Sequence, residues 1–243
     1  MDFKPTYKAF GKQAILIEWK AIIDEKVIND ILLFKEKIKF QKVDLYSDLI
    51  VGYNSVTIKY KQEIFDFSKE IEELKSIYKT KSKIIKKENF IWEIPVCYDV
   101  QFGIDLQEIA AKSKLSIEEI IALHSKKFYT IFFIGFLPGF LYLGGLNEQI
   151  FFDRKPNPRL KVAKGSVAIG GQQTGVYPNE SAGGWNIIGL TPIDFFDVKN
   201  EQPCFANAGD KIKFKSVSLD EFHQIEEEIK QNKYKITKTL MYD

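Results

Sequence analysis

The chain is 243 residues long and carries 35 Lys and Arg against 33 Asp and Glu, for a formal charge of +2. A surface so balanced makes no field that would draw nucleic acid or an anionic membrane to it, and the length suits two domains of roughly 90 and 150 residues better than one core. The opening MDFKPTYKAF is charged where an export signal needs an apolar run, so a cytoplasmic location is expected.

Periodicity gives the elements in chain order. Ala14 to Trp19 (AILIEW) is a short apolar run suited to a strand, and Glu25 to Phe40 sets Val27, Ile31, Leu32, Phe34 and Ile38 at mostly helical spacing. Asp48 to Tyr60 holds two β-rich halves around Gly52-Tyr53-Asn54-Ser55, and Ser68 to Tyr78 places Ile71, Leu74, Ile77 and Tyr78 on one helical face. This βαββα order predicts a small sheet with helices on one side. The lysine-rich stretch Lys79 to Lys87 offers little to either core and marks the boundary between domains at 1–88 and 89–243.

In the second domain, Phe90 to Tyr98 reads as a strand with an edge or bulge proline at Pro95. Asp105 to His124 is one helix or two joined at Ser113 to Leu115, and Ser116 with Glu119 forms a capping box for the segment ending at His124. Phe128 to Leu146 lacks charge and approaches the length of a membrane helix. Gly135, Pro138, Gly139, Gly144 and Gly145 interrupt it, which predicts strand, corner at Leu137-Pro138-Gly139, and strand. Short β segments then alternate with turns to Ile212-Lys213-Phe214, the pattern of a closed or nearly closed barrel. Leu219 to Lys230 is a charged amphipathic helix, followed by a short β-like tail.

The familiar catalytic signatures are missing: there is no G-x-x-x-x-G-K-[ST], no dinucleotide fingerprint, no H-E-x-x-H and no G-x-S-x-G. Ala163-Lys164-Gly165-Ser166 only superficially resembles a phosphate loop, since it lacks the preceding glycine and sits between β segments. Cys97 and Cys204 lie far apart and outside any C-x-x-C or Cys/His cluster, so no metal site is expected and both read as core thiols.

Glycine is densest between His124 and Pro192, where it either turns barrel corners or brings backbone close to a ligand. The phrases there are His124, Tyr129, Gly135-Phe136-Leu137-Pro138-Gly139-Phe140, Tyr142-Leu143-Gly144-Gly145-Leu146, Arg154, and Pro158-Arg159. They continue with Val162, Gly165-Ser166-Val167-Ala168-Ile169, Gln173-Thr174-Gly175-Val176-Tyr177-Pro178, Gly183-Gly184-Trp185, Ile188-Gly189 and Thr191-Pro192. In this order they resemble the signature of the KipI and PxpB proteins, also called allophanate hydrolase subunit 1-like. The resemblance implies an α+β protein, with a small N-terminal α/β sandwich domain followed by a cyclophilin-like β-barrel domain. It also implies a subunit of a 5-oxoprolinase that opens 5-oxoproline to L-glutamate with ATP hydrolysis, working with a PxpC-like sister subunit and a PxpA-like subunit. ATP would be bound by the complex, on a subunit the sequence does not identify.

Two other roles occur among relatives. KipI inhibits a sporulation histidine kinase, which here would use the aromatics of Phe132 to Tyr142 as an exposed contact patch. Fused relatives form the carboxyltransferase part of urea carboxylase, although no biotin-carrier M-K-M accompanies this chain. Fold alone does not choose among these roles.

Opening a lactam builds negative charge on its carbonyl oxygen, which needs N–H donors or cations. Gly170-Gly171-Gln172-Gln173-Thr174-Gly175 offers an anion-binding nest, and Arg154 or Arg159 a fork for phosphate or carboxylate. His124, delivered by its helix to the barrel entrance, is the candidate catalytic base or hydrogen-bond donor to an anion, the alternative being a core or capping residue. Tyr177, Asn179, Ser181 and Trp185 supply donors and an aromatic wall on a loop, with Trp185 equally suited to the core. The family commonly carries a basic residue where this chain has Leu190, and Lys164 stands as a compensating cation.

Overall fold

The structure is a computed structural model in which residues 3–42, 44–80 and 88–241 are described. The chain divides into two compact units, Met1–Lys87 and Glu88–Asp243. Most of the lysine-rich stretch read as the boundary, residues 81–87, lies outside the described residues.

In the N-terminal unit the strands β1 (Thr6–Ala9), β2 (Ala14–Glu18), β3 (Tyr46–Val51) and β4 (Ser55–Tyr60) form an antiparallel sheet in the order β1-β2-β4-β3. Helices α1 (Glu25–Gln41) and α2 (Phe67–Lys79) pack against each other, and α1 reaches β3 and β4. β1 was not anticipated because its sequence, TYKA, lies at the sheet edge and stays largely exposed, so it shows no apolar alternation. Each helix starts where an Asp side chain accepts a first-turn amide, Asp24 from Lys26 and Asp66 from Lys69. The apolar stripe of α1 buries Val27, Ile28, Ile31, Phe34 and Ile38. Phe34 packs against Trp19 and Tyr78, with ring centroids 6.1 and 5.0 Å away. The Asp30 carboxylate accepts from both Trp19 Nε1, at 2.7 Å, and the Tyr78 hydroxyl, at 2.5 Å.

The C-terminal unit begins with β5 (Phe90–Cys97), followed by α3 (Leu106–Ser113) and α4 (Ile117–Ser125). The region read as one helix or two is two, broken at Lys114, whose φ of 59° ends α3 in the left-handed region. The Ser116 and Glu119 capping box is formed in full at the start of α4. β6 (Phe128–Ile134) and β7 (Leu141–Gly144) are the strands flanking the predicted corner. β8 (Arg159–Val162), β9 (Ser166–Gly170), β10 (Gln173–Val176), β11 (Ser181–Gly183), β12 (Asn186–Leu190) and β13 (Lys211–Val217) follow, then α5 (Leu219–Lys230) and β14 (Thr237–Leu240).

Seven of these strands run in the order β12-β9-β10-β7-β6-β13-β5, and the pairing of Leu190 with Cys97 joins β12 to β5 and closes a barrel. β13 and β5 run parallel and the other barrel neighbours antiparallel. Pro95 is not at a bulge, and it sits where one flank of its strand is locally unpaired. Its strand pairs with β13 on one side, and on the other it falls between the part held by β14, Phe90 to Glu93, and the single contact at Cys97. β8 and β11 form a separate two-stranded ribbon. Gly165 turns the chain into β9 with a φ of +82°, and the Thr191 carbonyl occupies the space a Cβ would need.

The aromatics from Phe132 to Tyr142 do not form the exposed patch considered for a kinase partner. Phe132 and Phe140 are buried, and Phe133 stacks on Tyr142 at 4.1 Å. Of these aromatics, Phe136 alone is largely exposed, at 64 %. Among the described residues no helix is long and apolar enough to cross a membrane, in keeping with the interrupted reading of Phe128 to Leu146.

Because the N-terminal core converges on Phe34, Phe34→Ala is expected to cost about 3–5 kcal/mol of stability. Chemical denaturation of the full chain checks this, and a loss below about 1 kcal/mol would mean that the ring is not the packing centre described.

Candidate functional site

The C-terminal core encloses a polar chain. His124, in the last turn of α4, is fully buried, with its ring stacked on Phe214 at 4.7 Å. Its Nδ1 lies 2.7 Å from the Tyr98 hydroxyl and its Nε2 lies 2.8 Å from Thr174 Oγ1. The Thr174 hydroxyl donates to the Ala168 carbonyl at 3.0 Å, so its oxygen is left to accept from His124 Nε2–H. The imidazole is then the neutral Nε2–H form, with Nδ1 accepting from Tyr98. The Tyr129 hydroxyl donates to the His124 backbone carbonyl at 2.7 Å. Burial lowers the His124 pKa to about 3 and pushes the Tyr98 hydroxyl well above its usual range.

This corrects the reading of His124 as a catalytic base at the barrel entrance. The ring is out of reach of solvent, both nitrogens are engaged, and taking up a proton would place an uncompensated charge in an apolar core. Thr174, read as a ligand contact, belongs to the same internal chain.

A second network lies at the start of α3. Asp105, buried, accepts from the backbone N–H of Ile187 at 2.7 Å through one oxygen. Its other oxygen takes Arg159 Nη2 at 2.6 Å and Lys155 Nζ at 3.0 Å. Lys155 also pairs with Glu108 at 2.9 Å, and Glu108 with Lys112 at 2.8 Å. These lysines hold the Glu108 carboxyl down at about 2. Arg159 is therefore committed to Asp105 through Nη2 and ties β8 to α3, while its buried Nη1 has no partner, so the full fork is not open to an anion.

Beside this network is a cavity of about 590 Å³, lined by three cations, Lys112, Arg154 and Lys155, against the two carboxylates of Glu108 and Asp153. Gln172 and Asn186 also line it. Arg154 is exposed, stands 5.4 Å over the Trp185 ring, and makes no ion pair with any described residue. A guanidinium on an aromatic face with its fork open is suited to a carboxylate or phosphate. Trp185 itself is buried, against Phe140 and Tyr142. Gly170 makes room for it: a Cβ there would lie 2.5 Å from the indole.

The glycine-rich turn does not form the expected nest. Gly171 N–H donates to the Phe152 carbonyl at 2.8 Å, and β10 is in register with both β9 and β7. Gln172 stays at the cavity, whereas Gln173 points its buried Nε2 at no partner outside it. Tyr177 is buried against Phe140, Asn179 sits on the turn into β11 and Ser181 begins that strand, both away from the cavity lining. Lys164 pairs with Asp194 at 2.5 Å, and Leu190 packs beside Cys97, Val217 and Phe222, so neither stands at the cavity.

Of the side chains read as candidates, the cavity gathers Arg154, which stands over Trp185, and Gln172, and does not include the rest. It adds residues the sequence did not single out, chiefly Asn186, Lys112 and Lys155, with Asp105 beneath them. A polar residue inside the apolar run Trp185-Asn186-Ile187-Ile188 was the available signal, because a buried polar side chain is the informative exception in a strand. The described residues hold no group of three or more His, Cys, Asp or Glu able to hold a metal ion.

The carboxyltransferase domain, subdomain C and D, family model matches residues 5–206. The chain is 33 % identical over 245 residues to the 5-oxoprolinase B subunit of Bacillus subtilis, across 94 % of this chain and 99 % of that one. It is 39 % identical over 167 residues to the 5-oxoprolinase B subunit of Haemophilus influenzae, across 69 % of this chain and 78 % of that one. The solved structure of Kluyveromyces lactis urea carboxylase resembles it with a TM-score of 0.80 over 98 % of this chain and 24 % of that chain. At 18 % identity this is a likeness of fold.

The His124 setting makes a pH prediction. The ring binds a proton near pH 6.5 when the chain unfolds and only near pH 3 when it is folded, so between these values the unfolded state holds more protons. Stability should fall with falling pH across this window, by up to about 1.4 kcal/mol per pH unit from this residue. His124→Gln, which can accept from Tyr98 and donate to Thr174 without titrating, should flatten that slope. Urea unfolding at several pH values reads both, and equal slopes in the two proteins would contradict the buried neutral ring.

Proposed function

The chain belongs to the family of the carboxyltransferase domain, subdomain C and D, and from that membership we propose that it is the B subunit of a 5-oxoprolinase. In this reading it works with PxpA- and PxpC-like partners to open 5-oxoproline to L-glutamate in an ATP-dependent reaction, in the cytoplasm, and is inactive without them. The observation that carries the reading is the match to the Bacillus subtilis 5-oxoprolinase chain along nearly the whole of both sequences. The cavity agrees with it chemically, because a site for a small anionic lactam needs a cation for the carboxylate and polar groups for the ring amide.

The reaction adds water across an amide: the ring C–N bond breaks, hydroxyl joins the carbonyl carbon and a proton goes to nitrogen. The amide is a poor electrophile, and ATP supplies the activation of its carbonyl oxygen. The described residues form no cradle for the nucleotide's phosphates. Lys164 is held by Asp194, Gly171 N–H by Phe152, and the cavity cations are diluted by two carboxylates. We therefore assign ATP to the partners or to surfaces completed by them. Arg154 takes the substrate carboxylate, and Trp185 holds the guanidinium plane in place. His124 serves by fixing the barrel that carries these groups.

The kinase-inhibitor reading loses the aromatic patch on which it stood. The urea carboxylase likeness supports the fold and leaves the substrate open.

In the complex reconstituted with its partner subunits, Arg154→Ala should raise KM for 5-oxoproline about 10- to 100-fold, with a smaller change in kcat. Arg154→Lys should recover part of the loss, since a lysine keeps the charge and loses the fork. An unchanged KM in Arg154→Ala, with assembly intact, would place the substrate carboxylate elsewhere.

A further inference from the structure

Asn186 is fully buried at the start of β12, and its side-chain amide is oriented by two backbone carbonyls. Nδ2 donates to Asp153 O at 2.8 Å and to Ile169 O at 3.3 Å. Both amide hydrogens are thereby used, and the reverse orientation would set Oδ1 against two carbonyl oxygens, so the amide cannot flip without losing them. Oδ1 is left as a buried acceptor without a partner. Buried acceptors are rarely left unmet, and this one belongs to a side chain lining the same cavity as Arg154. The two are linked through the backbone, because the carbonyl that anchors Asn186 is that of Asp153, the residue next to Arg154.

A fixed acceptor beside a free guanidinium calls for a ligand with an N–H donor close to a carboxylate. In a lactam acid such as 5-oxoproline the ring nitrogen and the carboxylate are attached to the same carbon. We infer that Asn186 Oδ1 is a specificity determinant that accepts the ring N–H of the lactam while Arg154 holds its carboxylate, so that this cavity selects a cyclic amide over a cyclic ester. The inference rests on the 5-oxoprolinase reading and goes beyond it by naming the atom that reads the amide. A ring oxygen in that position would bring a lone pair against Oδ1 in place of a hydrogen, and a site built to bond a donor discriminates strongly against a ligand that lacks it.

The test compares binding of 5-oxoproline with binding of its lactone analogue, in which oxygen replaces the ring N–H. Calorimetry is done on the full chain assembled with its partner subunits, with a non-hydrolysable ATP analogue present. The wild-type complex is expected to prefer the lactam by about 10- to 100-fold. Arg154→Ala is expected to weaken both ligands and keep their ratio, and Asn186→Ala to bring the ratio close to one. Equal affinities in wild type, with Arg154→Ala still weakening both ligands, would overturn the role of Asn186 and leave the cavity as the substrate site. A preference that survives Asn186→Ala would also overturn it, by placing the N–H acceptor elsewhere. Failure of the wild-type complex to bind either ligand would overturn the inference together with the 5-oxoprolinase reading. If Asn186→Ala does not fold, the crystal structure of the wild-type chain in the complex with 5-oxoproline decides the point. The ring nitrogen within hydrogen-bond reach of Oδ1 supports the assignment, and any other placement refutes it.

Discussion

A neutral imidazole with both nitrogens engaged, closed inside the C-terminal unit, is the constraint on which that unit's arrangement rests. Through it the Tyr98 hydroxyl after β5, the end of α4, Thr174 of β10 and the Ala168 carbonyl of β9 are joined in one directional chain of hydrogen bonds. Each donor has one acceptor, so the network carries no unmet group, and the apolar rings of Phe214 and Tyr129 close over it. Such a chain fixes the register of several strands at once. Loss of one member would strand the others in a medium that cannot solvate them.

The outer side of the same strands carries the second consequence. Thr174 turns inward to the imidazole, while its neighbours Gln173 and Gly175 face the other way, and the glycines at 170 and 175 leave room for the Trp185 ring. Trp185 in turn supports Arg154. Asp105 collects Lys155, Arg159 and the Ile187 amide, so α3, β8 and β12 meet at one carboxylate beside the cavity. The rigid barrel thus presents the Arg154 guanidinium, which makes no ion pair with any described residue, and the unpartnered Asn186 oxygen along a cleft in which Lys112 and Lys155 are paired with Glu108.

Local signals were legible wherever a side chain decides its own neighbourhood. The Ser116 and Glu119 box and the corner at Pro138-Gly139 are written into a few adjacent residues and formed as read, and the stripe of α1 formed with Ile28 buried in place of Leu32. β1 escaped because an exposed edge strand needs no pattern. The site was less legible because it is made by barrel closure. Sequence placed His124 on a helix beside a glycine-rich region, which is correct, yet only the closed barrel buries the ring and engages both nitrogens. Arg159 and Arg154 look alike in the chain, and a buried aspartate 54 residues away separates their roles. Asn186 was hidden among apolar neighbours, and its free oxygen is apparent only once Asp153 and Ile169 have claimed its nitrogen.

The central claim is that this barrel is a working part of a lactam-opening complex, and glutamate release from 5-oxoproline and ATP tests it most directly. With purified partner subunits held constant, the account predicts that glutamate appears when this chain is present and falls to background when it is left out. Equal glutamate release with and without the chain would contradict it.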